Sequence, residues 1–215
     1  MNEIFFHDVK AAKQEEVDFD YLIGVDEAGR GPLAGPVVAG AVLLSLRQVQ
    51  YYSVEHPFPH IDDSKKVTPK RRAVIYQEIQ NRVHHSSASI SASLIDTLGI
   101  AESTRFAWQQ AVDSCLAQVP PEARVIVLLD GNQTYKEDRF PIQAVTKGDS
   151  YHGCIALASI VAKEARDAKM RELHQDYPQY GFDQHKGYGT KLHGQMIEAY
   201  GLSPLHRRSF CKKFL

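Results

Sequence analysis

The sequence predicts an α/β protein, and three observations carry that expectation. Short apolar runs, too continuous for half-exposed strands, recur along the chain, and two of them end in a carboxylate followed within a few residues by glycine. Amphipathic stretches with helical spacing separate them. At 215 residues and 43% hydrophobic content the chain can bury a sizeable core. It reads as one domain over residues 21–215, behind an acidic lead-in of residues 1–20 to which no function is assigned.

The first strand, Tyr21 to Val25, runs into Asp26 and Glu27 and then into Gly29, Gly31 and Pro32. Neighbouring side chains on a regular strand point to opposite faces, so Asp26 and Glu27 would serve one site only if the strand ends or bulges there. Gly29 and Gly31 suit such a break. They also leave main-chain amides open to close approach, with the Arg30 guanidinium reaching past them. Val37 to Leu44 is a second strand, and Ser45 to His60 reads as an irregular connection. Thr68 before Pro69 marks a helix start, with a capping hydroxyl and a proline at the first helical position; Ile75, Ile79 and Val83 give its apolar stripe. Asp63, Ser64, Lys65 and Lys66 then lie in the loop before a helix, where positive charge can meet a phosphate; an ordinary polar loop fits the spacing equally well.

Val83 to Ala92 is the third strand. Glu102 to Leu116 is a helix burying Ala107, Trp108, Ala111, Val112 and Cys115, with Trp108 read as core. Val125 to Leu129 is another apolar run, ending in Asp130 and Gly131. Ligands of α/β sheets collect outside the carboxyl ends of parallel strands, so Asp26 and Asp130 on neighbouring strands would face one crevice. Pro141 to Val145 is a fifth strand, leading through Lys147 to Asp149, which precedes a small-residue helix from Ile155 suited to close packing on a sheet. A helix from Thr190 to Tyr200 and the run SPLHRRSF close the chain.

The net charge of −1 hides an uneven distribution. From Gln184 onward Glu198 alone opposes Lys186, Lys191, Arg207, Arg208, Lys212 and Lys213. With Tyr188, His185 and His193 among them, this segment suits a polyanion, although a solvated face is the simpler reading of charge alone. Lys65, Lys66, Lys147, Lys186, Arg207 and Arg208 are the basic candidates for substrate contact.

Several function classes fall away. The three cysteines are odd in number and widely spaced, which gives neither a disulfide framework nor a paired-cysteine metal site. No bilayer-length apolar run and no leader pattern is found, so a soluble cytoplasmic protein without membrane contact is expected. Phosphate-loop, dinucleotide and nucleophile-elbow motifs are missing. Gly148 to His152, GDSYH, sets a serine beside a histidine, but sequence neighbours rarely give triad geometry. Carboxylates converging from separate strands raise one another's pKa and need compensation. Oxygen-only ligands favour a hard divalent ion, Mg²⁺ or Mn²⁺, over zinc.

The stretches GVDEAGRGPLAGPVVAGAVLL, DDSKK, LLDGNQ, VTKGDSYHGCIALASIVAKEARD, HKGYGTKLH and HRRSF together resemble the ribonuclease HII family over most of residues 21–210. The resemblance implies a ribonuclease H-like fold: a mixed five-stranded sheet flanked by helices, with a helical C-terminal segment that completes the substrate groove, so that residues 21–215 form one catalytic domain including C-terminal substrate-binding helices. It implies an endoribonuclease acting on RNA/DNA hybrid duplexes and on DNA containing ribonucleotides. Cleavage would fall on the 5' side of a single embedded ribonucleotide, by two divalent ions, Mn²⁺ or Mg²⁺, leaving 3'-hydroxyl and 5'-phosphate ends. Asp26, Glu27, Asp130 and Asp149 match the family's acidic residues. Gly29, Arg30 and Gly31 match the loop at the 2'-hydroxyl, and Tyr188 matches the tyrosine at the RNA-to-DNA junction. A monomer is expected. Gly189, where many members have proline, and Cys154 and Leu157 depart from the pattern, as does the acidic lead-in. Another metal-dependent nuclease of similar fold, or a binding module with structural acids, are the rival readings.

Overall fold

The computed structural model describes residues 4, 5, 7, 8, 19–55, 57, 58, 61 and 67–215. The expected loop of Asp63, Ser64, Lys65 and Lys66 lies outside the described residues. The strands in chain order are β1 (Tyr21–Ala28), β2 (Val37–Ser45), β3 (His84–Ile90), β4 (Val125–Asp130) and β5 (Ile142–Val145). They lie side by side as β3-β2-β1-β4-β5. The β1–β2 and β2–β3 pairs are antiparallel while β1–β4 and β4–β5 are parallel, so the sheet is mixed.

The helices are α1 (Leu46–Glu55), α2 (Pro69–Arg82), α3 (Ala92–Leu98), α4 (Ile100–Leu116), α5 (Gly148–Tyr151), α6 (Gly153–Asp176), α7 (Phe182–His185) and α8 (Lys191–Tyr200). Strand alternation sorts the apolar residues between the two faces of the sheet. Leu22, Val42, Leu44, Ile126 and Leu128 pack with Ile155, Ala158 and Val161 of α6. Ile23, Val25, Leu43, Val127 and Leu129 pack with Ala107, Trp108, Ala111 and Cys115 of α4. Helix α6 sits unusually close because β1 and β2 turn glycines toward it. A Cβ on Gly24 would come within 2.2 Å of the Cys154 backbone, and one on Gly40 within 2.5 Å of the Ala158 and Ala162 backbones.

Thr68 caps α2 as its spacing predicts, its side chain accepting from the Arg71 amide with Pro69 behind it. Two expectations need correcting. Ser45 to His60 is not irregular: Leu46–Glu55 is helical, begun by a reciprocal cap in which the Ser45 amide donates to Gln48 Oε1 at 2.9 Å and the Gln48 amide to Ser45 Oγ at 3.3 Å. Val49 and Tyr52 on its inner side are buried. Nor does β1 break after Val25, since it stays paired with β2 as far as Ala28↔Val38.

The C-terminal segment is tied to the turn after β1. The Leu33 amide donates to Gly187 O, the Gly35 amide to Leu205 O and the Arg207 amide to Leu33 O, at 2.8–2.9 Å. Beneath this seam Ala34, Met170, Tyr180 and Phe182 form a third buried cluster. At the other end of α6, helical residues of the lead-in are packed in. Phe5 fills the space over Gly153. Asp8, fully buried, accepts from the Cys154 amide at 2.9 Å and pairs with His152 Nδ1 at 2.8 Å.

Candidate active site

Asp26 follows the last β1–β4 pair, Val25↔Leu129, so continued register sets it beside Asp130. Both fall an even number of residues after ones that face α6, Leu22 on β1 and Leu128 on β4, which puts the two carboxylates on that same face at the carboxyl edge of the sheet. Asp149 approaches the same edge from α5, a single turn entered through Lys147 in a left-handed conformation, φ 57°. Glu27 belongs to the opposite face by alternation. The β1–β4 pairing ends at Val25↔Leu129, before its position, and Glu27 still lines the cleft. That cleft, about 360 Å³, is lined by all four acids together with Gly29, Arg72, Ser159, Lys163 and Tyr188.

Each acid is held. Asp26 accepts from the Glu27 amide at 2.7 Å and from Ser159 on α6. Asp130 Oδ1 accepts from the Gly148 amide at 2.7 Å, and Asp149 Oδ1 from Ser150 Oγ at 3.4 Å. Glu27 accepts from Trp108 Nε1 at 3.0 Å and pairs with Arg30 at 3.2 Å. Burial pushes the Asp26 carboxyl well above its ordinary range, and the Glu27 and Asp130 charges push further in the same direction. Burial likewise raises Glu27, against the pull of Arg30 and Trp108.

This crowding tests whether a divalent ion fits. Among the described residues no three metal-binding side chains converge into a finished cage, since Glu27 is turned toward Trp108 and Arg30 and Asp130 takes an amide. Yet the donors are all hard oxygens, they are crowded and desolvated, and mutual repulsion is what a cation would relieve. An octahedral ion that keeps several waters and uses one or two carboxylates fits such an edge, whereas a closed zinc site does not.

The remaining expected residues divide. Tyr188 is 45% exposed at the cleft, with the Arg166 guanidinium 5.6 Å from its ring centroid. Gly29 has φ 97° and no room for a Cβ, which would meet Arg166 Nε at 2.0 Å; Gly31 has open space around it. Lys147 and Arg208 face solvent. Arg207 corrects the expectation of phosphate contact: it is fully buried, and its guanidinium donates to the carbonyls of Gly29, Arg30 and Gly35. Lys186 is turned inward too, donating to the Asp183 carbonyl and pulled to a lower pKa by burial. His185 and His193 belong to an internal network rather than to a polyanion surface. Ser150 and His152 are not paired: Ser150 Oγ donates to Asp149 Oδ1, while His152 Nδ1 meets the buried Asp8 at the start of α6.

Four residues escaped sequence reasoning. Trp108 was legible as core but not as the donor to Glu27. Ser159, a hydroxyl within an apolar helical run, was a visible anomaly. Arg72 and Lys163 meet at the rim through Asp167: Arg72 donates to Glu164 at 2.5 Å and Asp167 at 3.0 Å, and Lys163 to Asp167 at 2.6 Å.

The ribonuclease HII family model matches residues 23–213. The chain belongs to the ribonuclease HII family. Ribonuclease HII of Chlamydia pneumoniae is 45% identical over 195 residues, covering 90% of this chain and 84% of the relative. The ribonuclease H2 of Pyrococcus horikoshii OT3 superposes with a TM-score of 0.72 at 22% identity, over 90% of this chain and 96% of that one. Bst-RNase HIII in complex with Mn²⁺ gives 0.64 at 18% identity, over 94% and 75%. Those solved structures carry the fold, ribonuclease H-like; the family match makes this chain a nuclease and a hydrolase.

Proposed function

We propose that this chain is an endoribonuclease that hydrolyses the RNA strand of RNA/DNA hybrids and cuts on the 5' side of single ribonucleotides in duplex DNA, leaving 3'-hydroxyl and 5'-phosphate ends. The observation that carries the reading is the gathering of Asp26, Glu27, Asp130 and Asp149 around one cleft whose rim holds Gly29 and Tyr188. These four acids are the ones that would hold divalent ions, Mn²⁺ or Mg²⁺, and the bound ions would supply a more acidic water and neutralise charge on the leaving oxygen. The Mn²⁺ in the Bst-RNase HIII complex supports manganese as one such ion.

The chain's own groups orient the reaction. Ser159 and the Glu27 and Gly148 amides fix Asp26 and Asp130 on one face, and Trp108 fixes Glu27 beside them. Gly29 to Gly31 bring main chain close to the sugar, where the 2'-hydroxyl is the only mark of RNA. Tyr188 packs on the neighbouring sugar at the junction. Exposed Lys147 and Arg208 meet phosphates. Among the described residues no helix is long and apolar enough to cross a membrane. The buried free cysteines support a reducing compartment, the cytoplasm, and we read the enzyme as a monomer.

The test is cleavage of a DNA duplex with one ribonucleotide, with and without Mg²⁺ or Mn²⁺. The parent should cut only with metal, and Asp130→Asn should lose orders of magnitude in rate while remaining folded and binding the duplex. Near-normal turnover by folded Asp130→Asn, or metal-independent cutting by the parent, refutes the reading.

A further inference from the structure

Behind Tyr188 and the glycine turn, His206 and Arg207 stand next to each other in sequence and serve the two sides separately. His206 forms an isolated antiparallel bridge with Ala34, so this short segment is laid along the turn itself. Arg207 faces the turn. Its three bonds to the carbonyls of Gly29, Arg30 and Gly35, at 2.6–3.0 Å, use a planar fork that no other side chain supplies.

His206 faces the other way, and the donors around it decide the position of each proton. The Ser203 amide donates to His206 Nδ1 at 2.9 Å, so that nitrogen carries a lone pair and the ring proton sits on Nε2. His206 Nε2 lies 3.0 Å from His193 Nε2, and it donates there. The His193 proton is thereby left on Nδ1, which donates to the Tyr188 carbonyl at 3.0 Å. Each of these ring nitrogens has a partner of the right kind, His206 Nδ1 lying 2.8 Å from Ser203 Oγ as well, and both rings are buried.

We infer that His193, oriented by His206, and Arg207 are positioning residues that together set the spacing between Tyr188 and the Gly29–Gly31 turn. The pair thus governs how well a single ribonucleotide is distinguished. The inference rests on the reading of Tyr188 and that turn as the sugar contacts. Neither residue touches substrate. Loosening either should leave the carboxylate cluster intact and widen the gap in which one sugar and its junction neighbour must fit.

The readout is a ratio: the cleavage rate of duplex DNA with one ribonucleotide over that of a continuous RNA strand paired with DNA, in Mn²⁺. Asparagine places an amide nitrogen near the Nδ1 position of histidine, and glutamine near Nε2. His193→Asn should therefore keep the ratio within about twofold, whereas His193→Gln should lower it about tenfold, the worth of one net hydrogen bond. Arg207→Lys, charged but without the fork, should lower it similarly. The hybrid rate itself should move little, and urea unfolding confirms that each variant is folded. Equal ratios for His193→Asn and His193→Gln, or a parental ratio in Arg207→Lys, overturn the inference. Tyr188→Ala is the reference: if it too keeps the parental ratio, the reading of Tyr188 has failed, and the positioning role falls with it.

Discussion

Asp26 is the residue at which function and stability pull apart. Its neighbours on β1 bury aliphatic groups, while it buries a carboxylate beside two others, and its pKa rises in consequence. A folded pKa above the unfolded value means that the contribution to stability is present at low pH and is lost as pH rises past the unfolded value near 3.8. Asp26→Asn keeps the acceptor for the Glu27 amide and removes the charge. In chelator at pH 7 it should raise the stability of the fold, and near pH 3, where the carboxyl is protonated folded and unfolded alike, it should change nothing measurable. Urea midpoints at the two pH values check this, and a lowered midpoint at pH 7 contradicts it. Cleavage should be lost in the same variant. A like-sized but opposite lesson comes from Arg207 and Arg208, adjacent and chemically identical, one wholly buried on carbonyls and the other facing solvent.

Among the elements, α6 decides most. It carries Ser159 to Asp26, Lys163 to the rim and Arg166 to the underside of Tyr188, and its distance from β1 and β2 sets all three. Gly24 and Gly40 fix that distance by having no side chain. Gly24→Ala drives a methyl into the Cys154 backbone, which cannot yield as a side chain can. It should cost about 1–3 kcal/mol, in the range of overpacked cores, and depress cleavage by displacing Ser159. Gly31→Ala, with open space and no left-handed φ, should stay within about 0.5 kcal/mol of the parent in stability. Urea unfolding of the pair separates close packing from a general intolerance of replaced glycines. The first turn of α6 is secured by Asp8, which takes the Cys154 amide and His152 from a lead-in whose acidity suggested no role.

The whole molecule closes by docking the C-terminal segment onto the turn after β1, and that docking is pH-sensitive in a definite direction. Burial drives His193 and His206 each down to about 4 from an ordinary 6.5. The unfolded chain therefore takes up these protons first. Stability from the pair is complete above about pH 6.5 and is lost as pH falls toward 4. Raised carboxyls such as Asp26 and Glu27 act in the opposite sense, so the histidine contribution is read as a difference. His193→Asn should flatten the fall in urea midpoint between pH 6.5 and 4 relative to the parent. An unchanged slope would place the histidines' titration outside the folding equilibrium.

Strand runs, helix stripes and the acids at strand ends were legible in the sequence because they obey local periods: two residues for a strand, 3.6 for a helix, and a carboxylate where the apolar run stops. Asp26 and Asp130 could each be placed at a strand end from that pattern, facing one crevice if their strands were neighbours, and Thr68–Pro69 announced α2; that β1 and β4 are neighbours is the sheet's own finding. The Ser45-to-Gln48 cap was equally local, but tyrosines and prolines in the following stretch masked it. Family membership, and with it the nuclease activity, also followed from motifs readable in order. What only the tertiary structure decided is the fate of groups whose partners are remote. The sequence could not say that Glu27 meets Trp108 from the far face, nor that Arg207 ends on the carbonyl of Gly29, 178 positions earlier. Nor could it say that the histidines of the basic segment are neutral and internal. Charge and hydrogen-bonding capacity are properties of a residue, but burial and partner are properties of the closed chain, and those two decide whether a cation contacts substrate or holds the fold.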